Sequence, residues 1–553
     1  MKIIIATVLV TSSILRAQTP SGDLSSTPPA QVANSLSAKS IVPCEIVVPA
    51  VDSGRQPLTA AAPDGHSYPV LQPAPPSKLV GDIRQELETS FAQQALRLDR
   101  FARNLILAKR REAHLADNEE PLSAPMYLLL SDEDGGLARF GFWLQDASGK
   151  RRLVMAGYID LVVDDRCSPG CLSIFPHELG HLILQAVAGT FHDGPSRKMH
   201  QGMTVTDYPT AFDEGYAEHF EALISDSPAA KRSGGDAIAT NFDNLWLSAV
   251  DGRLRTEGAH RNVFIHRKPL PEIALEDKPD LYRLFLDGET STAFLPTALK
   301  NGQQMMASEG VISTLFYRIV NDEQLRNHYR EASFYQPFLQ ADVDHPEKTI
   351  SPYENVNLKL FAAMMELRGL KSDQPPMIRL LEHYAKLFPD EARRIYLDFI
   401  VTTWGATTSQ QAASELVRRA ADGARGDRIA FQQDVTSGLG QAITDATAGR
   451  RALDANVGPE LWLVNSQFEI ASPVWKTDRH LPLTINLNTA TESELMTIPG
   501  IDLSVARKIV QARSKQGFFR SIDDLNAIVP SEIIARLSSM ATEMTRLPLY
   551  HRY

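Results

Sequence analysis

Residues 177–181 read His-Glu-Leu-Gly-His, inside the stretch PHELGHLILQAVAG that runs from Pro176 to Gly189. A proline suited to a first helical turn opens this stretch and a glycine closes it, so it reads as one helix. A helix this apolar must be buried, and buried His, Glu and His side chains need partners or a cation. Residues four apart share a helix face, with Cβ atoms roughly 5–6 Å apart. Two imidazoles so placed can converge on one ion at distances of about 2.0–2.1 Å. Glu178 sits to the side of that face, where it can take a proton from a water without ligating the ion. The H-E-x-x-H pattern therefore predicts Zn2+ bound by His177 and His181, with Glu178 as the catalytic general base. Zinc in such a site lowers the pKa of a water to about 7.

A catalytic zinc usually has three protein ligands. The continuation H-E-x-x-H-x-x-G-x-x-H is excluded, because Leu184 and Val187 stand where its glycine and third histidine belong. The segment TDYPTAFDEGYAEHFEALI offers Glu214 and Glu218, four apart and so on one helix face. Phe212, Tyr216, Ala217 and Phe220 give that helix an apolar face. One carboxylate can ligate the metal while the other accepts an N–H from a ligand imidazole. His192 and His200, in the loop between the two motifs, are alternative third ligands.

This combination resembles the gluzincin peptidases, the thermolysin and aminopeptidase group, in which a Glu ligand follows H-E-x-x-H on another helix within an N/D-E-G-x-A-type segment. The resemblance implies His177, His181 and Glu214 as zinc ligands, Glu178 as the base and Glu218 in the outer shell. It further implies a zinc metallopeptidase acting on a peptide or protein substrate. The interval between His181 and Glu214 is longer than the common one. A metallohydrolase for a non-peptide amide or ester uses the same chemistry and stays open.

Upstream, MYLLLSD, ARFGFWLQD and RLVMAGYIDLVVDD are apolar or alternating runs separated by EDGG and ASGK turns. They read as a small, largely antiparallel sheet. In the family resembled, an edge strand of this sheet pairs with the extended substrate. Candidates to stabilise a transition state are His260, His266, Tyr317 and His328. From about 270 to 465 the helical period dominates, as in NLKLFAAMMELRGL, PMIRLLEHYAKLF, DEARRIYLDFIVTTW and SQQAASELVRRAADGA.

The fold class expected is α+β: the small sheet, the active-site helices, a large helical part and a terminal helix-hairpin-helix domain. Residues 1–18 have one Lys, an apolar run and small residues near Ala17, the pattern of a signal peptide. Residues 19–80, rich in Pro, Ser and Ala, read as a linker or propeptide-like segment. Residues 81–270 form the metal-binding domain, 271–475 a helical domain completing the cleft, and 476–545 the terminal domain. A secreted or periplasmic protein follows, with no transmembrane helix after signal cleavage. Cys167 and Cys171 can form a disulfide at the entrance to the metal helix, or a weak metal pair, leaving Cys44 in the linker. The net charge of −11 argues against general binding to nucleic acid through the whole surface.

The tail INLNTATESELMTIPGIDLSVARKIVQARSKQGFFRSIDDLNAIVPSEIIARL carries a second signal. With Asn486, Asn488, Ala490, the Ile498-Pro499-Gly500-Ile501 hairpin and Phe519-Arg520-Ser521, it resembles the helix-hairpin-helix module of competence-type DNA-uptake receptors. The resemblance implies sequence-independent DNA contact at Gly500, Arg507 and Lys508, with a phosphate held at the hairpin and helix N-terminus. Arg507, Lys508, Arg513, Lys515 and Arg520 form a basic cluster. Asp502 departs from the family's Gly-Ile-Gly and puts negative charge beside that phosphate position. A docking module for protein is the competing role. The alternative for the whole chain is therefore an extracellular DNA- or protein-binding protein whose metal site is non-peptidase or vestigial.

Overall fold

The computed structural model describes residues 42–88, 90–115, 125–131, 136–161, 175–189, 206–225, 263–265, 302–370, 375–403, 443–450, 453, 461–471, 480–488, 490, 492–516 and 519–544. Six strands lie in the first part: β1 (Cys44–Pro49), β2 (Thr59–Ala61), β3 (Ser67–Pro73), β4 (Met126–Leu129), β5 (Leu137–Gln145) and β6 (Arg151–Asp160). They are ordered β1-β4-β6-β5-β3, and β3 pairs back onto β1, so five strands close into a barrel with β2 added beside β3. The pairs β1–β4, β4–β6 and β3–β5 are parallel, while β5–β6, β1–β3 and β2–β3 are antiparallel.

The expected largely antiparallel sheet is thus corrected to a closed barrel of mixed pairing. The β5–β6 hairpin is the part that local sequence dictates. Asp146 Oδ1 accepts from the backbone N–H groups of Ser148 and Lys150, and Gly149 takes φ +82° to close the ASGK turn. β2–β3 is a second local hairpin, and the remaining pairings join residues further apart in the chain. Three of the strands fall within residues 44–73, part of the Pro/Ser/Ala-rich linker or propeptide-like segment expected over 19–80, and Cys44 lies in β1. That thiol is free and its burial pushes its pKa well above the ordinary range.

Val47, Leu71, Tyr127, Leu129, Phe142, Val154, Ala156 and Tyr158 fill the barrel. The Phe142 ring meets Tyr127 at 4.9 Å and Tyr158 at 5.1 Å, both edge to face, contacts worth about 0.5–1.5 kcal/mol each beyond area burial. The bulge between Phe140 and Phe142 needs Gly141, with φ +81° and a Tyr68 ring atom 2.6 Å from where a Cβ would stand.

Among the described residues the longer helices of this part are α1 (Lys78–Leu87), α2 (Ser90–Glu112), α3 (Phe175–Ala188), α4 (Tyr208–Ser225), α5 (Glu309–Asn321), α6 (Pro352–Met364), α7 (Pro376–Leu387) and α8 (Ala392–Thr402), with shorter helices between some of them, among them Ala332–Leu339. One apolar core joins the outer face of the barrel to these helices, from Val42 to Ile400 and on to Leu453. The ion pair Arg97–Glu354 at 2.7 Å and the bond from Asn104 Nδ2 to the Phe338 carbonyl at 2.7 Å tie α2 to the later helices. Among the described residues, this core includes residues on both sides of 270. Ser351 and Glu354 close a capping box around Pro352 at the start of α6. The expected segment SQQAASELVRRAADGA lies outside the described residues. Among the described residues, no helix is long and apolar enough to cross a membrane.

A second core forms the C-terminal unit, from β7 (Trp462–Ala471), β8 (His480–Asn486), α9 (Glu492–Leu495), α10 (Leu503–Gln516) and α11 (Ser531–Met544). Leu463 and Ile485 of the β7–β8 hairpin belong to that core, so the unit starts before the expected boundary at 476. The chain is α+β, with a small closed sheet and a helical C-terminal motif.

Candidate metal centre and nucleic-acid interface

The polar residues of α3 and α4 meet because two glycines let the helices touch. A Cβ on Gly180 would stand 2.8 Å from the Ala217 Cα, so α3 and α4 cross backbone to backbone. On the far side of α4, a Cβ on Gly215 would stand 2.6 Å from the Glu309 carbonyl oxygen and 2.7 Å from Ile312 Cβ of α5. Phe316 of α5 completes the wedge, packing on Phe212 and Tyr216.

This crossing brings Glu214 over His177 and His181. The two Nε2 atoms are 3.1 Å apart, and each lies 3.4 Å from Glu214 Oε2. Tetrahedral ligands at about 2.0–2.2 Å from an ion are themselves about 3.3–3.5 Å apart, so the triangle fits one metal ion. His177, His181 and Glu214 are all buried, and they are the one such group of three among the described residues. Two facing imidazole nitrogens at this distance repel unless a cation or a proton lies between them. Burial alone would lower the His181 pKa, but the Asp213 and Glu214 carboxylates outweigh it and push it up to about 9. The donor set is thus built for positive charge and can hold a metal ion. Glu178, next along α3, is buried at 6 % exposure.

Glu218 is buried on α4, and the carboxylate that meets His181 Nδ1 is a different one. Asp213 Oδ1, not Glu218, lies 2.8 Å from His181 Nδ1. With its Nδ1–H donated to that carboxylate, a neutral His181 ring would present the Nε2 lone pair to an ion. Nothing in the sequence but its place next to Glu214 points to Asp213. Asp213→Ala is expected to weaken metal affinity by about 10–100-fold, while Asp213→Asn, which still accepts a hydrogen bond, loses less. Competition with a chromophoric chelator measures both, and wild-type affinity in Asp213→Ala removes the orienting role.

The remaining candidates separate. His328 Nδ1 lies 2.8 Å from Glu391 Oε1, an oxygen that the buried Lys359 ammonium also holds at 2.7 Å, so this histidine belongs to another polar cluster. Tyr317 is half-buried on α5. His192, His200, His260, His266, Cys167, Cys171 and residues 1–18 lie outside the described residues.

In the C-terminal unit, the Ile501 N–H donates to the Ile498 carbonyl at 3.0 Å, and Gly500 takes φ +89° to make that turn. Asp502 caps α10 through the Val505 N–H at 2.9 Å. The Asn488 side chain clamps the Phe519 backbone with bonds of 2.8 and 2.7 Å. Arg507 and Lys508 are exposed, and Arg507 lies 3.5 Å from Glu492. Arg513 is instead buried, donating to the Leu487 carbonyl at 2.9 Å, which takes it out of the expected surface cluster. Arg536 of α11, which no local pattern singles out, donates to the Pro499 carbonyl.

Residues 483–529 match the helix-hairpin-helix motif family. Curated relatives from several vertebrates carry the name endonuclease/exonuclease/phosphatase family domain-containing protein 1. The chain is 38 % identical to the Danio rerio protein over 81 residues, 14 % of this chain and 15 % of that protein. It is 43 % identical to the Xenopus laevis protein over 60 residues, 11 % of each, and 54 % identical to the Homo sapiens protein over 41 residues, 7 % of each. The chain thus spans 15 % or less of the length of these relatives. No solved structure matches.

These findings correct the expectation of a zinc metallopeptidase. The relatives bear a nuclease and phosphatase name, and none of them is named as a peptidase. In the closed barrel β5 is flanked by β6 and β3 and offers no free side to an extended peptide, while β2 keeps an outer edge.

Proposed function

We propose that this chain contacts nucleic acid through its helix-hairpin-helix motif, without reading sequence. The observation that carries the reading is the family match over 483–529, joined to a hairpin in which Gly500 adopts φ +89° ahead of a helix with exposed Arg507 and Lys508. Backbone N–H groups at a helix start suit a phosphate and carry no base preference. The names of the relatives agree with a partner of this chemistry. Binding of the whole chain to fluorescent duplexes of unrelated sequence tests it. Equal affinities are expected across sequences, and contact with three phosphates should weaken binding by roughly tens-fold between about 50 and 200 mM salt. Affinity that ignores salt, or no binding at all, removes the reading.

A second reading belongs to the metal centre, and the donor triangle of 3.1, 3.4 and 3.4 Å favours it. His177, His181 and Glu214 would hold zinc, the ion whose tetrahedral N/O ligation this set suits, and the chemistry supplied there would be a water of lowered pKa. Glu178 would take the proton and Asp213 would keep the His181 tautomer fixed. A purely structural site has no use for a carboxylate at Glu178, so a water-activating, non-peptidase centre is the form proposed. Export to a secreted or periplasmic location is proposed on the residue pattern of 1–18.

A further inference from the structure

We infer that Arg536 is a phosphate-contacting residue of the hairpin, placed there by its own bond to the turn. The inference rests on the nucleic-acid reading and names a group that neither the motif nor the family match includes, since the match ends at residue 529. Asp502 caps α10 and sets a carboxylate at the helix start, where it repels a phosphate. A sequence-independent phosphate site there needs a compensating cation.

Arg536 supplies it. Its Nη1 donates to the Pro499 carbonyl, and the same nitrogen stands 3.0 Å from where a Cβ on Gly500 would be. Gly500 and Arg536 are both exposed, so the guanidinium lies against the outer surface of the turn and not in the core. A guanidinium has five N–H donors in a planar fork, and the Pro499 carbonyl takes one. The rest can pair with phosphate oxygens, which this geometry suits better than a lysine ammonium would. Arg513, which the sequence places in the basic cluster, is buried on the Leu487 carbonyl and cannot take this part. The bond to Pro499 also fixes where the charge sits, so less side-chain freedom is lost when a phosphate arrives.

The full chain, its Arg536→Gln, Arg536→Lys and Asp502→Asn variants, and Arg379→Gln as a charge-matched control test this with labelled duplex DNA. Arg379 pairs with Glu382 on α7, outside the C-terminal unit. Arg536→Gln is expected to bind about tenfold more weakly at low salt, with the slope of log affinity against log salt reduced by about one. Arg536→Lys should keep the slope and lose part of the affinity, Asp502→Asn should bind more tightly, and Arg379→Gln should match the unaltered chain. A role confined to holding the turn would lower the melting point of Arg536→Gln and leave the slope alone, which overturns the inference. So does wild-type affinity in Arg536→Gln while the unaltered chain binds DNA. If the unaltered chain fails to bind, the nucleic-acid reading falls and this inference with it.

Discussion

Gly215→Ala is expected to destabilise the chain by about 3 kcal/mol and to abolish metal binding, although position 215 itself ligates nothing. Overpacking usually costs about 1–3 kcal/mol, and the upper end applies when the obstacle cannot rotate away. Here the new methyl would meet the Glu309 carbonyl oxygen at 2.6 Å and Ile312 Cβ at 2.7 Å, both fixed to the backbone of α5. Relief requires α4 and α5 to separate. α4 carries Glu214 and Asp213, so a shift of a few tenths of an ångström also opens the ligand triangle that α3 completes. Gly81→Ala is the control. It lies in α1 with nothing within 4 Å of the added methyl and an ordinary φ, so a neutral or slightly stabilising change of up to about 1 kcal/mol is expected. Denaturant unfolding and metal analysis of both variants read the two effects. A Gly215→Ala protein with unaltered midpoint and metal content would show that α4 and α5 are not in backbone contact.

How far the sequence discloses these features depends on the range of the interactions that set them. His177 and His181 are legible because one helix fixes their spacing, and Glu214 because its helix has an obvious apolar face. Asp213 is not, since its role depends on how α4 is rotated against α3. Helical period alone puts Glu218 on a face with Glu214; the crossing at Gly180 and Ala217 brings Asp213 to His181. The barrel shows the same limit. The β5–β6 hairpin is written into its turn, whereas β1 and β3 lie among prolines at 49, 69 and 73 that read locally as linker. Their parallel partners, β4 and β5, are more than fifty residues away in the chain, and no alternation pattern announces a parallel neighbour. In the tail, counting basic residues along the chain gathers Arg513 with Arg507 and Lys508. The helix turns Arg513 inward, and the fold brings Arg536 to the hairpin from the next helix.

Removing the metal is expected to produce the largest loss of stability of any change that leaves the sequence intact. A ligand that binds only the folded state stabilises it by about 4 kcal/mol when its free concentration is a thousandfold above Kd. The same amount should vanish on chelation, and the unfolding midpoint should rise again with added zinc in proportion to the logarithm of its concentration. Without a cation, the site holds two imidazole nitrogens 3.1 Å apart beneath a buried carboxylate, so one ring must carry a proton for the triangle to persist. Glu214→Ala takes away one of three ligands and should reduce bound metal from one per chain to near none after dialysis, with the chelator then changing little. Glu178→Gln should keep both the metal and the chelator-sensitive stability, because in the proposed reading that side chain handles a proton and not the ion. Loss of metal in Glu178→Gln would instead make Glu178 a ligand. A purified chain that carries no metal, takes up none, and melts identically with and without chelator would leave the His177, His181 and Glu214 cluster as a buried polar contact alone.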